Sequence, residues 1–258
     1  MINGMMNWQN NLQKVKRHFE RDGYVVLPGF FSPQEVQELL GEVERYLAEV
    51  VPHLPAEEKF YEDKDRPETL KYAKNMSLHD AYFEKLYMSE RFVRLAELLL
   101  DGPVVGQNLS LFNKPPRVGD ATPPHQDGYY FMLDPSEALT MWLALDPVDE
   151  EIGCVRYVTG SHLRGLRDHQ RTSTLGFSQS LSDYGLADEE NEVAVYAEPG
   201  DLLIHHCMTI HRADHNRSDR TRRALGAVYY SARARPDAQR SEAYQKALMK
   251  DLAEAGKI

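Results

Sequence analysis

The stretch Pro123–Met132, PPHQDGYYFM, sets an imidazole at His125 and a carboxylate at Asp127, between two prolines and a run of aromatics. On an extended segment, residues i and i+2 project to the same side, so one short stretch can grip one ion twice. His-x-Asp is also an ordinary polar turn entering a strand, and spacing alone does not separate the two readings. If the pair is part of a metal site, a further ligand has to come from elsewhere in the chain.

Upstream, the sequence reads as helical. Residues 8–22 carry Leu12, Val15 and Phe19 on one face, and Tyr24 to Leu27 form a short apolar strand. Ser32 is an N-cap with Pro33 at the first helical position and Glu35 placed to close a capping box. Val36, Leu39, Leu40, Val43 and Leu47 give that helix its buried stripe. Residues 51–73 are charged and read as an irregular surface loop or lid, and one helix is expected from Ala81 to Leu100. From Val104 the texture changes to short apolar runs between turns: VVGQNLSLF, ALTMWLAL, CVRYV, EVAVYA, DLLIHH and RALGAVYYSA. Such runs predict a β-sandwich or barrel rather than βαβ units. Asp188 to Glu192, DEENE, reads as a solvated loop, and an Ala-, Lys- and Glu-rich helix closes the chain after Asp237. The expectation is one domain over 1–258: helical support in 1–100, a β core in 104–232 and a terminal helix in 237–258.

The 258 residues are 42% hydrophobic and carry a formal net charge of −10. That charge argues against nucleic-acid and anionic-membrane partners, which need a positive field, and suits a small-molecule ligand. Cys154 and Cys207 are too few for a disulfide framework. With no secretory pattern and no apolar run near the ~20 residues of a membrane span, a cytoplasmic location is expected. The arginines at 212, 217, 220, 223, 233 and 235 read as a solvated face paired with acidic neighbours.

A third ligand can come from the segment PGDLLIHHCMTIHRADHN, which holds His205, His206, His211 and His215. Two histidines and a carboxylate on one face of an octahedral ion are the ligand set of non-haem Fe(II) oxygenases. The same donors with a water also suit zinc. An oxygenase using 2-oxoglutarate needs a cation for the cosubstrate's far carboxylate, and the arginine fork matches it. Arg222 and Arg223 lie eleven and twelve residues past His211. On an alternating strand one of them points inward.

The chain resembles the phytanoyl-CoA hydroxylase family of Fe(II)/2-oxoglutarate-dependent dioxygenases over nearly its whole length. The resemblance is carried in order by DGYVVLPGFFSPQEV, LFNKPP, HQD, GCVRYVTGSH, PGDLLIHHCMTIHRADHN and RRA. It implies a double-stranded β-helix (a cupin-like jelly roll, mainly β with α) with N-terminal helical support. It implies that His125, Asp127 and His211 hold Fe(II), with His206 at a histidine position that is not a ligand. It further implies that Arg222 anchors 2-oxoglutarate, with Ser110, Trp142 and Lys74 contacting it and Gln126 bracing the ligands from behind. Tyr129, Tyr130 and Asn108 are candidates for a substrate pocket, with Phe131 beside them. The implied reaction uses O2 and 2-oxoglutarate to hydroxylate an unactivated C–H bond, releasing succinate and CO2. Two departures stand out. Ala213 replaces a serine that helps hold the far carboxylate in many relatives, which leaves Lys74 or Thr140 to assist Arg222. Thr159 replaces a common proline. A cupin-type metal protein without 2-oxoglutarate turnover, or a non-catalytic sensor of the same fold, is the alternative.

Overall fold

The structure is a computed structural model and describes residues 11–172 and 179–254. Helix α1 (Leu12–Asp22) buries Val15 and Phe19, and residues 8–10 of the expected helix lie outside the described residues. Strand β1 (Tyr24–Leu27) follows. Helix α2 (Pro33–Glu49) has the expected capping box: Glu35 N donates to Ser32 Oγ at 3.3 Å, and Ser32 N donates to the Glu35 carboxylate at 2.7 Å.

The segment 51–73 is not an irregular loop. It contains β2 (Lys59–Tyr61) and β3 (Leu70–Ala73), which extend a sheet by two strands. Their anchor is aromatic: Phe60 stacks on Tyr72 at 6.1 Å, and Tyr72 stacks on Phe112 at 4.7 Å. Three helices follow, α3 (Met76–His79), α4 (Ala81–Tyr87) and α5 (Glu90–Leu99). The expected single helix is broken because Ser89 adopts an extended conformation as the N-cap of α5.

The β half then runs β4 (Val104–Lys114), β5 (Thr122–His125), α6 (Asp127–Phe131), β6 (Leu133–Asp134), β7 (Ala138–Ala144) and β8 (Val155–Val158). It continues with β9 (His169–Arg171), β10 (Gln179–Leu181), α7 (Leu186–Glu189), β11 (Glu192–Val195), β12 (Leu202–His206) and β13 (His211–Ala213). Last come β14 (Arg222–Ser231), β15 (Arg235–Pro236) and α8 (Ala238–Glu254), with 255–258 outside the described residues. The DEENE run is solvated only in its middle: Glu189, Glu190 and Asn191 are exposed, whereas buried Asp188 pairs with Arg167 at 2.7 Å, and Glu192 sits in β11 and pairs with Arg212 at 2.6 Å.

Two antiparallel sheets face each other, as in a jelly roll. The larger has the order β1-β12-β7-β14-β4-β3-β2, and the smaller β11-β8-β13-β5. One face of the large sheet packs on the helices: Leu109, Leu111, Met141, Leu143, Leu225 and Ala227 meet Val36, Leu39, Phe83 and Phe92 in one apolar cluster. The opposite face presents the alternate residues to the small sheet. There Trp142, Ala144, Leu203 and Ala224 pack against Val155 and Tyr157. Arginines 212, 220, 223 and 233 pair with acidic residues. Both cysteines are buried and free, and burial pushes the Cys154 thiol up to about 11 and that of Cys207 up to about 12. Among the described residues no helix is long and apolar enough to cross a membrane.

Candidate metal centre and cosubstrate site

Strand β5 ends at His125, Gln126 stays extended (φ −120°, ψ 127°) and Asp127 opens α6. His125 and Asp127 therefore turn to one side and Gln126 to the other. His211 opens β13 and is the direct cross-strand partner of His125. One donor atom from each of these three residues lies within 4.8 Å of the others. Asp127 Oδ1 is 3.5 Å from His125 Nε2 and 3.8 Å from His211 Nε2, and the two rings are 4.2 Å apart.

The backbone orients both rings. His125 Nδ1 lies 2.8 Å from the Pro123 carbonyl, and His211 Nδ1 lies 3.0 Å from the Thr209 carbonyl. A carbonyl only accepts, so each Nδ1 carries the proton and each Nε2 presents its lone pair to the centre. Burial, then the neighbouring His125 and His205, hold His211 well below the usual histidine range, so it stays neutral. Burial works against the Asp127 charge, but the surrounding histidines, with His205 Nε2 donating to the carboxylate, hold it well below the usual carboxylate range. Its other oxygen, Oδ2, is met by Thr140 Oγ1 at 2.6 Å and His205 Nε2 at 3.2 Å. Two neutral imidazoles and one carboxylate suit a divalent transition metal.

Arg222 occupies the inner face of β14 and is 4% exposed. Its guanidinium lies 5.1 Å over the Trp142 ring, and Nη1 donates to the Gly153 carbonyl at 2.9 Å. Its Nε is buried with no partner among the described residues. Burial lowers this arginine to about 10. A buried cation with an unused donor suits an anion. Gly153 has φ +83°, and a Cβ there would lie 2.2 Å from the Asp214 carbonyl oxygen, so only glycine presents this acceptor. Arg223 points outward to Asp146 at 2.9 Å.

The other expected contacts divide. Ser110 and Trp142 flank Gly226 on neighbouring strands, both buried on the inner face. A Cβ at Gly226 would sit 2.3 Å from Phe112, so this floor takes no larger residue without repacking. Lys74 packs its amine 4.6 Å over Phe60, and burial lowers its pKa. Gln126 is fully buried. Its amide donates to the Gly165 and Met208 carbonyls and accepts from Arg167 N, so it straps two loops behind the ligands. Thr140 is not available to assist Arg222, because its hydroxyl is committed to Asp127. Tyr129 and Tyr130 lie on α6 rather than a strand. Tyr129 stacks on His169 at 4.2 Å, Tyr130 stands edge-on to His125 at 5.8 Å, and half-buried Asn108 pairs across from Val228.

Of the remaining histidines, His206 accepts from Met208 N at 3.1 Å, and exposed His215 contacts the Arg117 carbonyl at 3.1 Å. Three groups enter the site in roles that were not anticipated. His205 and Tyr157 form one chain toward Asp127, with Tyr157 Oη 3.1 Å from His205 Nδ1. Lys114, 3% exposed, is the cross-strand partner of Arg222 and donates to the Asp120 carbonyl and, at 2.7 Å, to that of Asp214. Its parity with Ser110 and Phe112 on one strand is the signal that marks it as inward. Burial, then Arg222, holds it well below the usual lysine range.

Comparison with known proteins is consistent with this geometry. The family model described as Phytanoyl-CoA dioxygenase (PhyH) matches residues 19–224. The chain is 27% identical over 230 residues to a probable alpha-ketoglutarate-dependent hypophosphite dioxygenase of Stutzerimonas stutzeri, covering 86% of this chain and 79% of that one. It superposes on the epimerase SnoN, solved with Fe3+, alpha ketoglutarate and nogalamycin RO, with 29% identity and a TM-score of 0.70 over 88% of this chain and 86% of the other. It also superposes on the alpha ketoglutarate dependent carbocyclase SnoK from nogalamycin biosynthesis, with 26% identity and a TM-score of 0.72 over 94% of each chain.

Proposed function

We propose, from the premise that this chain belongs to the phytanoyl-CoA dioxygenase family, that it hydroxylates an unactivated C–H bond of a small molecule. The protein is an iron- and 2-oxoglutarate-dependent oxygenase. The observation that carries the reading is one inner surface with two complementary halves. At one end His125, Asp127 and His211 converge, and at the other a buried Arg222 keeps an unused donor. Arg222 reaches back over Trp142, two residues along β7 from Thr140, whose hydroxyl touches Asp127.

In this reading His125, Asp127 and His211 hold the iron, and Arg222 takes the far carboxylate of 2-oxoglutarate. When bound, iron(II), 2-oxoglutarate and O2 supply the oxidising chemistry, releasing succinate and CO2 as one oxygen atom enters the substrate. The chain's residues bind and orient. The Pro123 and Thr209 carbonyls hold both imidazoles with Nε2 inward. Trp142 and Ser110 wall the cosubstrate, and the buried inner face keeps water out. Lys114, the cross-strand partner of Arg222, places a second basic side chain there, where Ala213 provides no hydroxyl. Tyr129, Tyr130 and Asn108 line the substrate side. The relatives named for hypophosphite and nogalamycin chemistry support a small-molecule substrate.

The test is oxygen uptake and succinate formation with 2-oxoglutarate, under iron(II) and under zinc(II), followed by mass spectrometry of the product made under 18O2 with chloride present. Iron-only turnover with one labelled oxygen in the product is expected. Because Asp127 fills the carboxylate position, no halide is expected in the product, and a chlorinated product or zinc-supported turnover would refute the reading.

A further inference from the structure

The carboxylate of Asp127 has two oxygens, and the structure treats them differently. Oδ1 faces His125 Nε2 and His211 Nε2. Oδ2 faces the large sheet, where Thr140 and His205 are direct cross-strand partners on β7 and β12. Both side chains reach Oδ2, at 2.6 Å and 3.2 Å. His205 is 3% exposed and its other nitrogen lies 3.1 Å from the hydroxyl of fully buried Tyr157. Tyr157 is fixed in turn by stacking on Tyr24 at 4.6 Å.

This arrangement has a direction. A carboxylate only accepts, so His205 Nε2 must carry the proton that it shares with Oδ2. In the neutral ring Nδ1 is then an acceptor and receives the Tyr157 O–H. His205 does not join the converging donor atoms of His125, Asp127 and His211, because its inward nitrogen is spent on the carboxylate.

We propose that His205, held by Tyr157, is a positioning residue that keeps Asp127 a one-oxygen ligand. The proposal rests on the assignment of His125, Asp127 and His211 as the iron-holding set. Carboxylates bind metals through one oxygen or two. A second oxygen would claim one of the positions that a three-ligand face leaves for cosubstrate and O2. Two donors on Oδ2 keep that oxygen engaged with protein. Loss of the His205 donor leaves Thr140 alone and frees Asp127 to turn. The effect should fall on cosubstrate binding far more than on iron binding.

Anaerobic titrations separate these two quantities without turnover. Iron(II) binding is measured first. The visible charge-transfer absorption of iron(II) chelated by 2-oxoglutarate is then followed as cosubstrate is added. For His205→Phe the half-saturating 2-oxoglutarate concentration should rise roughly tenfold or more, while iron affinity changes by less than about threefold. His205→Gln, which restores an N–H donor toward Oδ2, should recover most of the loss. Tyr157→Phe should show an intermediate rise. Wild-type 2-oxoglutarate titration by His205→Phe would overturn the proposal. So would iron loss in that variant as severe as in His211→Ala, since His205 would then be a ligand. Should the phenylalanine variant not fold, Tyr157→Phe decides: a severalfold rise supports the proposal and an unshifted titration overturns it. Tight iron binding by His211→Ala would instead refute the ligand assignment beneath it.

Discussion

Arg222→Ala removes the one inward guanidinium of β14. In the ligand-free protein this group carries an uncompensated burial cost: its depression to about 10 corresponds to roughly 3 kcal/mol. Among the described residues its one hydrogen bond is to the Gly153 carbonyl, and Nε has no partner. The cation is thus held ready for an anion at some expense to the empty fold. Truncating one partner of a buried, hydrogen-bonded charge pair costs roughly 2–5 kcal/mol. That range corresponds to about 30-fold to several-thousand-fold weaker 2-oxoglutarate binding. The ligand-free variant should melt close to wild type, because relief of the buried charge offsets the lost packing on Trp142. Calorimetric titration of the iron-loaded, anaerobic protein with 2-oxoglutarate gives the affinity. Thermal melts with and without cosubstrate give a second measure, since ligand at 100 times its Kd stabilises by about 2.7 kcal/mol. Arg223→Ala is the control, because that side chain faces Asp146 and Glu44. Near-wild-type binding by Arg222→Ala, with the loss appearing in Arg223→Ala, would refute the assignment.

His211→Ala should abolish tight iron(II) binding while His215→Ala leaves it intact, read by metal titration of the two variants. Ala213→Ser should tighten 2-oxoglutarate binding about fivefold, the worth of one hydrogen bond of roughly 1 kcal/mol; unchanged affinity in the same calorimetric assay would show that the position does not face the cosubstrate. Burial, then His162, lowers His206 to about 4, so the folded state resists a proton that the unfolded chain accepts near pH 6.5. Between those values the unfolded state binds more protons, and stability falls as pH drops, by up to about 3 kcal/mol. Urea unfolding at pH 7 and pH 4.5 should show a smaller acid loss in His206→Gln than in wild type.

What the sequence revealed depended on how local the cause is. The capping box of α2 is complete within Ser32–Glu35, and the β half shows as short apolar runs between turns, so both could be read directly. The strands at 59–61 and 70–73 could not. The charges around them dominate the composition of 51–73, and Tyr72 gains meaning only against Phe112, some forty residues on. Asp188 and Glu192 looked solvated because their partners, Arg167 and Arg212, are about twenty residues away. At the site, the spacing of His125 and Asp127 is a local mark, whereas the choice of His211 among four histidines came from resemblance. Thr140, His205 and Tyr157 carry no such mark, and Lys114 shows only its parity on β4. They meet the site because separate strands happen to align there, an outcome of pairing rather than of any short motif.

The face-to-face placement of His125 and His211 has a consequence for how this chain tolerates changes in length. β12 and β13 are joined by the four residues Cys207–Ile210. That bridge is tied on several sides: Thr209 to the Gly23 carbonyl, Ile210 N to Ser161 and the Met208 carbonyl to Gln126. Adding or removing one residue there would shift β13 by half its side-chain period and send His211 to the outer face. The strand could recover its backbone bonds after such a shift, leaving a protein that folds yet lacks the converging set. The stretch 182–191, which carries only the short α7, is tied to Arg167 and Asp168 rather than to the ligands themselves, so a change of length there leaves the register of β13 untouched. Natural and engineered length variation should therefore accumulate before β11 and be absent between β12 and β13.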